Sequence, residues 1–257
     1  MIRLVLLGAL GRMGSEVRRL AKESGEAEIA LGVDLAEPEG GQGFPVAKTI
    51  AGADARADAA ISFLPPTADG ETSALLDFCA ASGMPAAIAT SGLCAGMLAK
   101  MAEASKFAAL LHSPNFSFGM NIVDGLLPGL AKTLFGAGFD IEISERHHRR
   151  KIDSPSGTAM AFAETARAAL GDGVGIAHDR SHKKEPRKRR EIGVVAQRGG
   201  GVFGEHSILF AAEDEVIEIS HRALGRGVFA KGALMAAKFL VGKPPGMYGM
   251  RDLAGIR

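Results

Sequence analysis

Five short apolar runs recur within the first 112 residues, separated by stretches that carry helical patterns, and this alternation limits the fold more than any other feature. Ile2–Leu7 ends in a glycine and suits a strand buried on both faces. Ile29–Asp34, Ala59–Phe63, Ala86–Ala89 and Ala108–His112 read as four further strands. Between the first two, from Gly11 to Ser24, Met13, Val17, Leu20 and Ala21 recur at helical spacing with charges between them. Helices also fit at Thr67–Ala81 and Ala95–Lys106. Alternating strands and helices predict a parallel sheet covered on both faces.

The pattern changes after residue 112. Gly119–Leu134 and Ser156–Leu170 look helical, while Phe139-Asp-Ile-Glu-Ile-Ser144 alternates apolar and polar, as a sheet with one polar face does. Ile192–Gln197, His206–Ala211 and Val216–His221 are further strand candidates. The expectation is a smaller α+β domain with a four-stranded mixed sheet and helices on one face. Val228–Leu240 is an Ala-rich helix and Tyr248–Arg257 a short tail. Glycine-containing switch points at Ser117–Gly119 and Leu224–Gly227 would serve as hinges that let the last helix return to the first domain. At 257 residues the chain is long enough for two such cores.

Gly8-Ala-Leu-Gly11-Arg-Met-Gly14 follows a strand and opens a helix, the setting a dinucleotide site needs. Gly8 allows a sharp turn, Gly11 lets the backbone approach a pyrophosphate, and Gly14 lets helix and strand pack closely. Helix-terminal N–H groups then face the anion. The spacing is GxxGxxG rather than GxGxxG, so the loop alone carries little weight. Asp34 adds to it, lying 20 residues after Gly14 at a strand end, where a carboxylate accepts hydrogen bonds from a ribose. Leu35 rather than arginine follows, so Asp34 would repel a 2′-phosphate and favour NADH. Arg12 partly offsets this, which leaves NADPH open.

Residues 145–151, Glu-Arg-His-His-Arg-Arg-Lys, hold six basic or imidazole groups directly after a half-buried strand. Such a run is usually a solvated face, and that suffices for Arg149 and Arg150. The next residues differ: Ser154 resembles an N-cap with Pro155 at the first helical position, so the N–H groups of Ser156 to Thr158 would form an anion site. Histidines, a lysine and a helix N-terminus together suit carboxylates. Extended, His147 and Lys151 would stand roughly 13 Å apart, too far for one small substrate, whereas a turn would join them. His147 is the better proton-transfer group by chemistry, with Lys151 an electrostatic anchor or an acid.

A net charge of +1 gives no global attraction to nucleic acid or membrane. Cys79, in a helix, and Cys94, in a loop, lie 15 apart without CxxC pairing, so reduced thiols and no metal site are expected. The apolar start is too short for a signal peptide, and no run approaches the roughly 18 residues of a membrane helix. A cytoplasmic location is expected.

These residues resemble the 4-hydroxy-tetrahydrodipicolinate reductase (dihydrodipicolinate reductase) family. The likeness runs the length of the chain: Gly8–Gly14, Ala89-Thr-Ser-Gly92, Ser113-Pro-Asn-Phe116, His147–Lys151 with Asp153–Thr158, Gly204–His206 and Gly246–Asp252. The segment from Glu145 to Ala159 is highly specific. The resemblance implies a Rossmann-like dinucleotide-binding domain at 1–118, a substrate-binding and oligomerisation domain at 119–226, and a C-terminal helix within 227–257 returning to the first domain. It implies a homotetramer acting on a small dicarboxylate, with His147 as proton donor/acceptor and Lys151 as proton donor. His148, Gly157 and Thr158 would hold substrate carboxylate. Gly8, Ala9, Leu10, Gly11, Arg12, Met13, Asp34, Ala89, Thr90, Ser91, Ser113, Pro114, Asn115 and Phe116 would line an NADH or NADPH site. Two departures stand out: Ala89-Thr90-Ser91 replaces the family's usual Gly-Thr-Thr, and Leu64-Pro65-Pro66 replaces a more polar turn.

Two other readings compete. A semialdehyde dehydrogenase would need a nucleophilic cysteine, and Cys94 lacks an adjacent base in sequence. An NAD-sensing module would grip nucleic acid through His182–Arg190, yet basic runs without interleaved aromatics are more often solvated loops.

Overall fold

The computed structural model describes residues 1–38, 40–51, 56–178, 180–181 and 183–256. The chain forms two compact units, Met1–Phe118 with Arg226–Gly255, and Gly119–Gly225 with Ile256. In chain order the first contains β1 (Ile2–Leu7), α1 (Arg12–Ser24), β2 (Ala27–Val33), β3 (Val46–Ala47), β4 (Ala59–Ser62), α2 (Asp69–Ser82), β5 (Ala86–Ile88), α3 (Ala95–Ala104) and β6 (Ala109–His112). The second contains α4 (Phe118–Gly136), β7 (Asp140–His147), α5 (Gly157–Leu170), β8 (Gly175–Ala177), β9 (Glu191–Arg198), β10 (Gly204–Ala211) and β11 (Val216–Ala223). The chain then adds α6 (Gly227–Leu240), β12 (Gly246–Tyr248) and α7 (Met250–Ala254) to the first unit.

The first unit is a Rossmann-like parallel sheet in the order β12-β6-β5-β4-β1-β2-β3. Leu4 to Leu7 are fully buried, and the two-residue pleat divides them between faces. Leu4 and Leu6 pack with α1 and α6, while Val5 and Leu7 pack with α2 and α3. A segment so placed must be apolar, which is why Leu4–Leu7 reads as a run rather than an alternation, with Arg3 before it exposed. Strand order reverses between β1 and β4, opening a crevice at their carboxyl ends. The small residues Ala230, Ala233, Ala236 and Ala237 let α6 lie close on this core. Gly232 is tighter still, since a Cβ there would stand 2.9 Å from the Phe116 carbonyl carbon and nearer its oxygen.

The second unit has a mixed sheet in the order β11-β10-β7-β9-β8, antiparallel at β11/β10 and β10/β7 and parallel at β7/β9 and β9/β8. It therefore has five strands where the sequence pattern suggests four. Ile141, Ile143, Ile192, Val194, Ile208 and Phe210 share one face and pack on α4 and α5. The pattern misses β8, and likewise β3, β12 and α7, because two- to five-residue elements are too short to show a period.

Candidate active site

At the crevice, Gly8 takes a left-handed φ of 74° and its N–H donates to Val33 O at 2.8 Å. The chain turns there into α1, whose N-cap is Gly11 and whose first turn receives no side-chain cap. Those N–H groups are what an anionic ligand would meet. Gly14 packs against the loop itself: a Cβ would lie 2.5 Å from Ala9 O and closer to Gly8 O. A cavity of about 480 Å³ is lined by Gly8, Leu10, Gly11, Arg12, Met13 and Asp34, with Phe63, Leu64, Pro65 and Glu71 opposite. Ala9 instead points into the core, fully buried. Asp34 does more than face the cavity, because it ties down the loop: Oδ2 accepts from Leu10 N at 2.8 Å and Oδ1 from Ala36 N at 3.1 Å. Glu71, in the first turn of α2, adds a carboxylate that sequence reasoning missed; an acid there usually signals only helix-dipole complementarity.

The remaining sequence-predicted cofactor residues lie at the ends of β5 and β6, outside that cavity lining. Ile88 pairs with His112, so Ala89 and Ser113 emerge side by side. Thr90 is buried and its hydroxyl donates to Leu64 O at 3.0 Å, while His112 Nε2 donates to Thr90 O at 2.9 Å. Ser91 and Pro114 are exposed. Ser113 Oγ donates to Asn115 O at 2.8 Å, and Phe116 is buried 6.3 Å from the Phe63 ring.

In the second unit the sequence-predicted catalytic residues lie at and just after the end of β7. Glu145 is buried yet ionised, and all its lone-pair directions are met. Oε2 accepts from His147 Nδ1 at 2.6 Å and from Arg198 Nη1 at 2.8 Å. Oε1 accepts from Arg198 Nη2 at 2.7 Å and from Ser156 N at 2.9 Å. Burial alone would raise its carboxyl, but the Arg198, His147 and Ser156 hydrogen bonds outweigh that and hold it below its ordinary value. Arg198 Nη2 also donates to Asp153 O at 2.6 Å. His206 lies edge-on to His147, 5.1 Å between ring centres, with Nε2 3.0 Å from Ser156 Oγ. Burial, then the field of His147, push the His206 pKa down to about 4, so it is neutral near pH 7.

A turn succeeds His147, closed by Lys151 N donating to His148 O at 3.1 Å, as a shared site requires. Lys151 Nζ lies 2.9 Å from Asp153 Oδ1, and this contact holds the Asp153 carboxyl below its ordinary value, aided by the Gly157 N–H. The cap of α5 is Ser156 rather than Ser154: its Oγ accepts from Ala159 N at 3.2 Å. The physical reason is Glu145, which takes the Ser156 N–H and draws that residue out of the helix. Ser156 N is thus excluded from the predicted anion site, leaving Gly157 and Thr158 at the helix start. His148 Nδ1 is buried with no hydrogen-bond partner among the described residues. Sequence reasoning placed His147, Lys151, Gly157 and Thr158 together but missed Glu145 as their anchor, and Arg198 and His206 with it.

In the basic segment Arg187, Arg189 and Arg190 find partners within the second unit while Lys183, Lys184 and Lys188 are exposed, and His182 lies outside the described residues. Arg180 pairs with Glu142 and Glu191, Arg187 with Asp140 and Glu142, and Arg189 with Asp140 and the Phe135 ring. Arg190 donates to the Asp172 and Gly173 carbonyls. These arginines face protein acids and carbonyls. Cys79 is buried in α2, which pushes its thiol up to about 12, and Cys94 is exposed at the N-cap of α3. Among the described residues no cluster of His, Cys, Asp or Glu suits a metal, and no helix is long and apolar enough to cross a membrane.

The chain resembles known proteins over its whole length. A 4-hydroxy-tetrahydrodipicolinate reductase of Caldanaerobacter subterraneus subsp. tengcongensis is 43% identical over 253 residues, covering 98% of each chain. One of Clostridium tetani is 38% identical, covering 97% of this chain and 96% of the other. Among solved structures, a dipicolinate-bound dihydrodipicolinate reductase from Paenisporosarcina sp. TG-14 superposes with a TM-score of 0.80 at 20% identity, covering 98% of each chain. An aspartate semialdehyde dehydrogenase II from Vibrio cholerae shares the fold at a TM-score of 0.52 and 12% identity, covering 94% of this chain and 98% of the other. Residues 2–116 match the profile of the dihydrodipicolinate reductase N-terminus and residues 119–254 that of its C-terminus. With both halves matched, and with the glycine loop and the His147–Thr158 segment each set in its own unit, the chain belongs to the dihydrodipicolinate reductase family.

Proposed function

We propose that the protein reduces 4-hydroxy-tetrahydrodipicolinate to tetrahydrodipicolinate in diaminopimelate and lysine biosynthesis. The reaction adds one hydride and one proton and releases water. The observation that carries the reading is the Glu145-anchored cluster, which gathers an imidazole, an ammonium and a helix start at one end of a sheet. His147 takes up and returns a proton, Lys151 donates one, and His148, Gly157 and Thr158 hold a substrate carboxylate. Lys151 and the Gly157 N–H already contact the Asp153 carboxylate, so the two groups are spaced for a carboxylate ligand.

A pyridine nucleotide fits the first unit, where the uncapped start of α1 and the Gly11 approach leave room for a pyrophosphate. When bound, its reduced nicotinamide supplies the hydride. Gly8 to Met13 and Asp34 hold the adenosine and phosphate end, and Ala89 to Ser91 with Ser113 to Phe116 the nicotinamide end. NADH is the preferred form, because Asp34 and Glu71 place two carboxylates on the wall where a 2′-phosphate would sit, and Arg12 only partly offsets them. The protein works in the cytoplasm as a homotetramer assembled through the second unit, whose sheet exposes Val195, Val216 and Ile217.

The test is NADH oxidation by the purified protein, with substrate made in situ from pyruvate and aspartate semialdehyde by the preceding synthase. NADPH and a Lys151→Ala variant run beside it. Rapid turnover that collapses in the variant is expected, and nucleotide binding without turnover would sink the substrate assignment. Light scattering reads the oligomer, for which a monomer would contradict the tetramer.

A further inference from the structure

We propose that Glu145 is a positioning residue that fixes His147 in its Nδ1–H form, so that Nε2 is the atom exchanging protons with substrate, and that Arg198 moderates this by sharing the same carboxylate. The proposal rests on the proton-transfer role proposed for His147. An ionised carboxylate can only accept, so the 2.6 Å contact at Oε2 places a proton on Nδ1. The other nitrogen borders Gly204, where a Cβ would come within 3.1 Å of Nε2; the glycine keeps that atom clear.

Geometry makes Glu145 more than a neighbour. Its side chain has no exposure and joins three segments: His147 on its own strand, Ser156 at the start of α5, and Arg198 on β9. Arg198 carries the tie on to the Asp153 carbonyl, beyond Lys151. The register pairs His147 with Arg198 across β7 and β9, so the guanidinium sits beside the imidazole as well as the carboxylate. Arg198 therefore keeps Glu145 ionised while opposing a positive charge on His147. Among the described residues, the other charged or titratable groups near His147 include Arg146 on its own strand with Glu205 paired to it on β10, His206 on β10, and His148, Lys151 and Asp153 in the adjoining turn.

Two substitutions should give opposite responses. Glu145→Gln removes the negative charge, so the pH limb of kcat that reports His147 moves down, as loss of an adjacent opposite charge dictates. The expected fall in kcat is roughly 10- to 100-fold, with KM for substrate little changed, which is less than the roughly 10²–10⁴-fold of losing the acid–base group itself because His147 remains. Arg198→Met leaves the carboxylate to His147 and the Ser156 N–H and removes a neighbouring positive charge, so the same limb moves up. Histidine ring nitrogen NMR reads the tautomer directly: Nδ1–H in the native protein and in Arg198→Met, a mixture in Glu145→Gln. Should Glu145→Gln fail to fold, the upward limb in Arg198→Met decides, and a limb that stays or moves down overturns the proposal. A native-like limb and tautomer in folded Glu145→Gln also overturn it. His147→Ala separates the two levels, because full activity there removes the assignment of His147 itself, whereas inactivity there with an unmoved Glu145→Gln limb removes only the role of Glu145.

Discussion

Gly14→Ala and Gly11→Ala test whether the glycine loop serves packing, binding or both. At Gly14 an added methyl meets Ala9 O at 2.5 Å and Gly8 O still nearer, against the roughly 3.3 Å of an ordinary close C···O approach. Both obstacles are backbone, so α1 must retreat from the loop by about 1 Å. That places the cost near the top of the over-packing range, about 3 kcal/mol, or a fall of roughly 6–12 °C in melting temperature for a protein of this size. The retreat also withdraws the N–H groups of α1 from a bound phosphate; losing one charge-assisted hydrogen bond weakens NADH about tenfold to a hundredfold. Gly11 behaves differently. Its φ of −72° and ψ of 173° suit any residue, and the nearest atom to an added methyl is Gly8 O at 3.4 Å. Gly11→Ala should melt within about 2 °C of the native protein, a cap change being worth only tenths to one kcal/mol, yet lose NADH affinity because the methyl stands in the cavity wall. Far-ultraviolet circular dichroism reads the first quantity, the chain having no Trp and one Tyr, and calorimetric titration with NADH reads the second. Native melting in Gly14→Ala, or native affinity in Gly11→Ala, would refute the division of labour.

Gly193→Ala should destabilise the second unit by about 1–3 kcal/mol on thermal melting, because its methyl would lie 2.5 Å from the Glu142 carboxyl carbon and push that group off Arg180 and Arg187. Asp34→Asn should improve NADPH use relative to NADH and lower stability, since it also weakens the bond from Leu10 N; Glu71→Gln should improve NADPH use without the stability loss, as steady-state kinetics with both nucleotides would show. His206 gives a signed pH dependence. Its pKa is about 4 folded against 6.5 for the ordinary group, so unfolding takes up a proton and stability falls as pH drops from about 6.5 to 4, by at most about 3 kcal/mol. His206→Phe, which keeps the edge contact with Phe162, should flatten that part of the denaturation curve, and an unchanged slope would disprove the assignment. Glu145 has the complementary behaviour: with its folded pKa depressed, its stabilisation is present above the ordinary carboxylate value and disappears as pH falls through the lower folded one.

The range of each interaction decides how far the sequence discloses it. β1 was legible because burial on both faces demands a run of apolar residues, and the Gly8 turn because a positive φ selects glycine. β3, β8 and β12 were not, because two or three residues joined mainly through backbone pairing leave no side-chain period. The α5 cap was misplaced by two residues for a long-range reason: Ser154, followed by Pro155, is the stronger local signal, and only Glu145, 11 residues before Ser156, selects the other by taking the Ser156 N–H. Glu145 stands just beyond the alternating Phe139–Ser144 run, and nothing local marks it as the partner of His147 and Ser156.

Residues 147–158 hold the groups proposed to touch the substrate, and local sequence names them: two imidazoles, an ammonium and a helix start. Their protonation states belong to the sheet. The β7–β9 register brings Arg198, 53 residues from Glu145, onto its carboxylate, and the β7–β10 register brings His206 opposite Glu145 itself. One histidine is thereby joined to an ionised carboxylate while its neighbour is buried and kept neutral, although both are the same residue type on adjacent strands. A segment that can be recognised by spelling therefore owes its acid–base behaviour to partners that only folding delivers, and substitutions at Arg198 or His206 should alter pH dependence while leaving the recognisable segment intact.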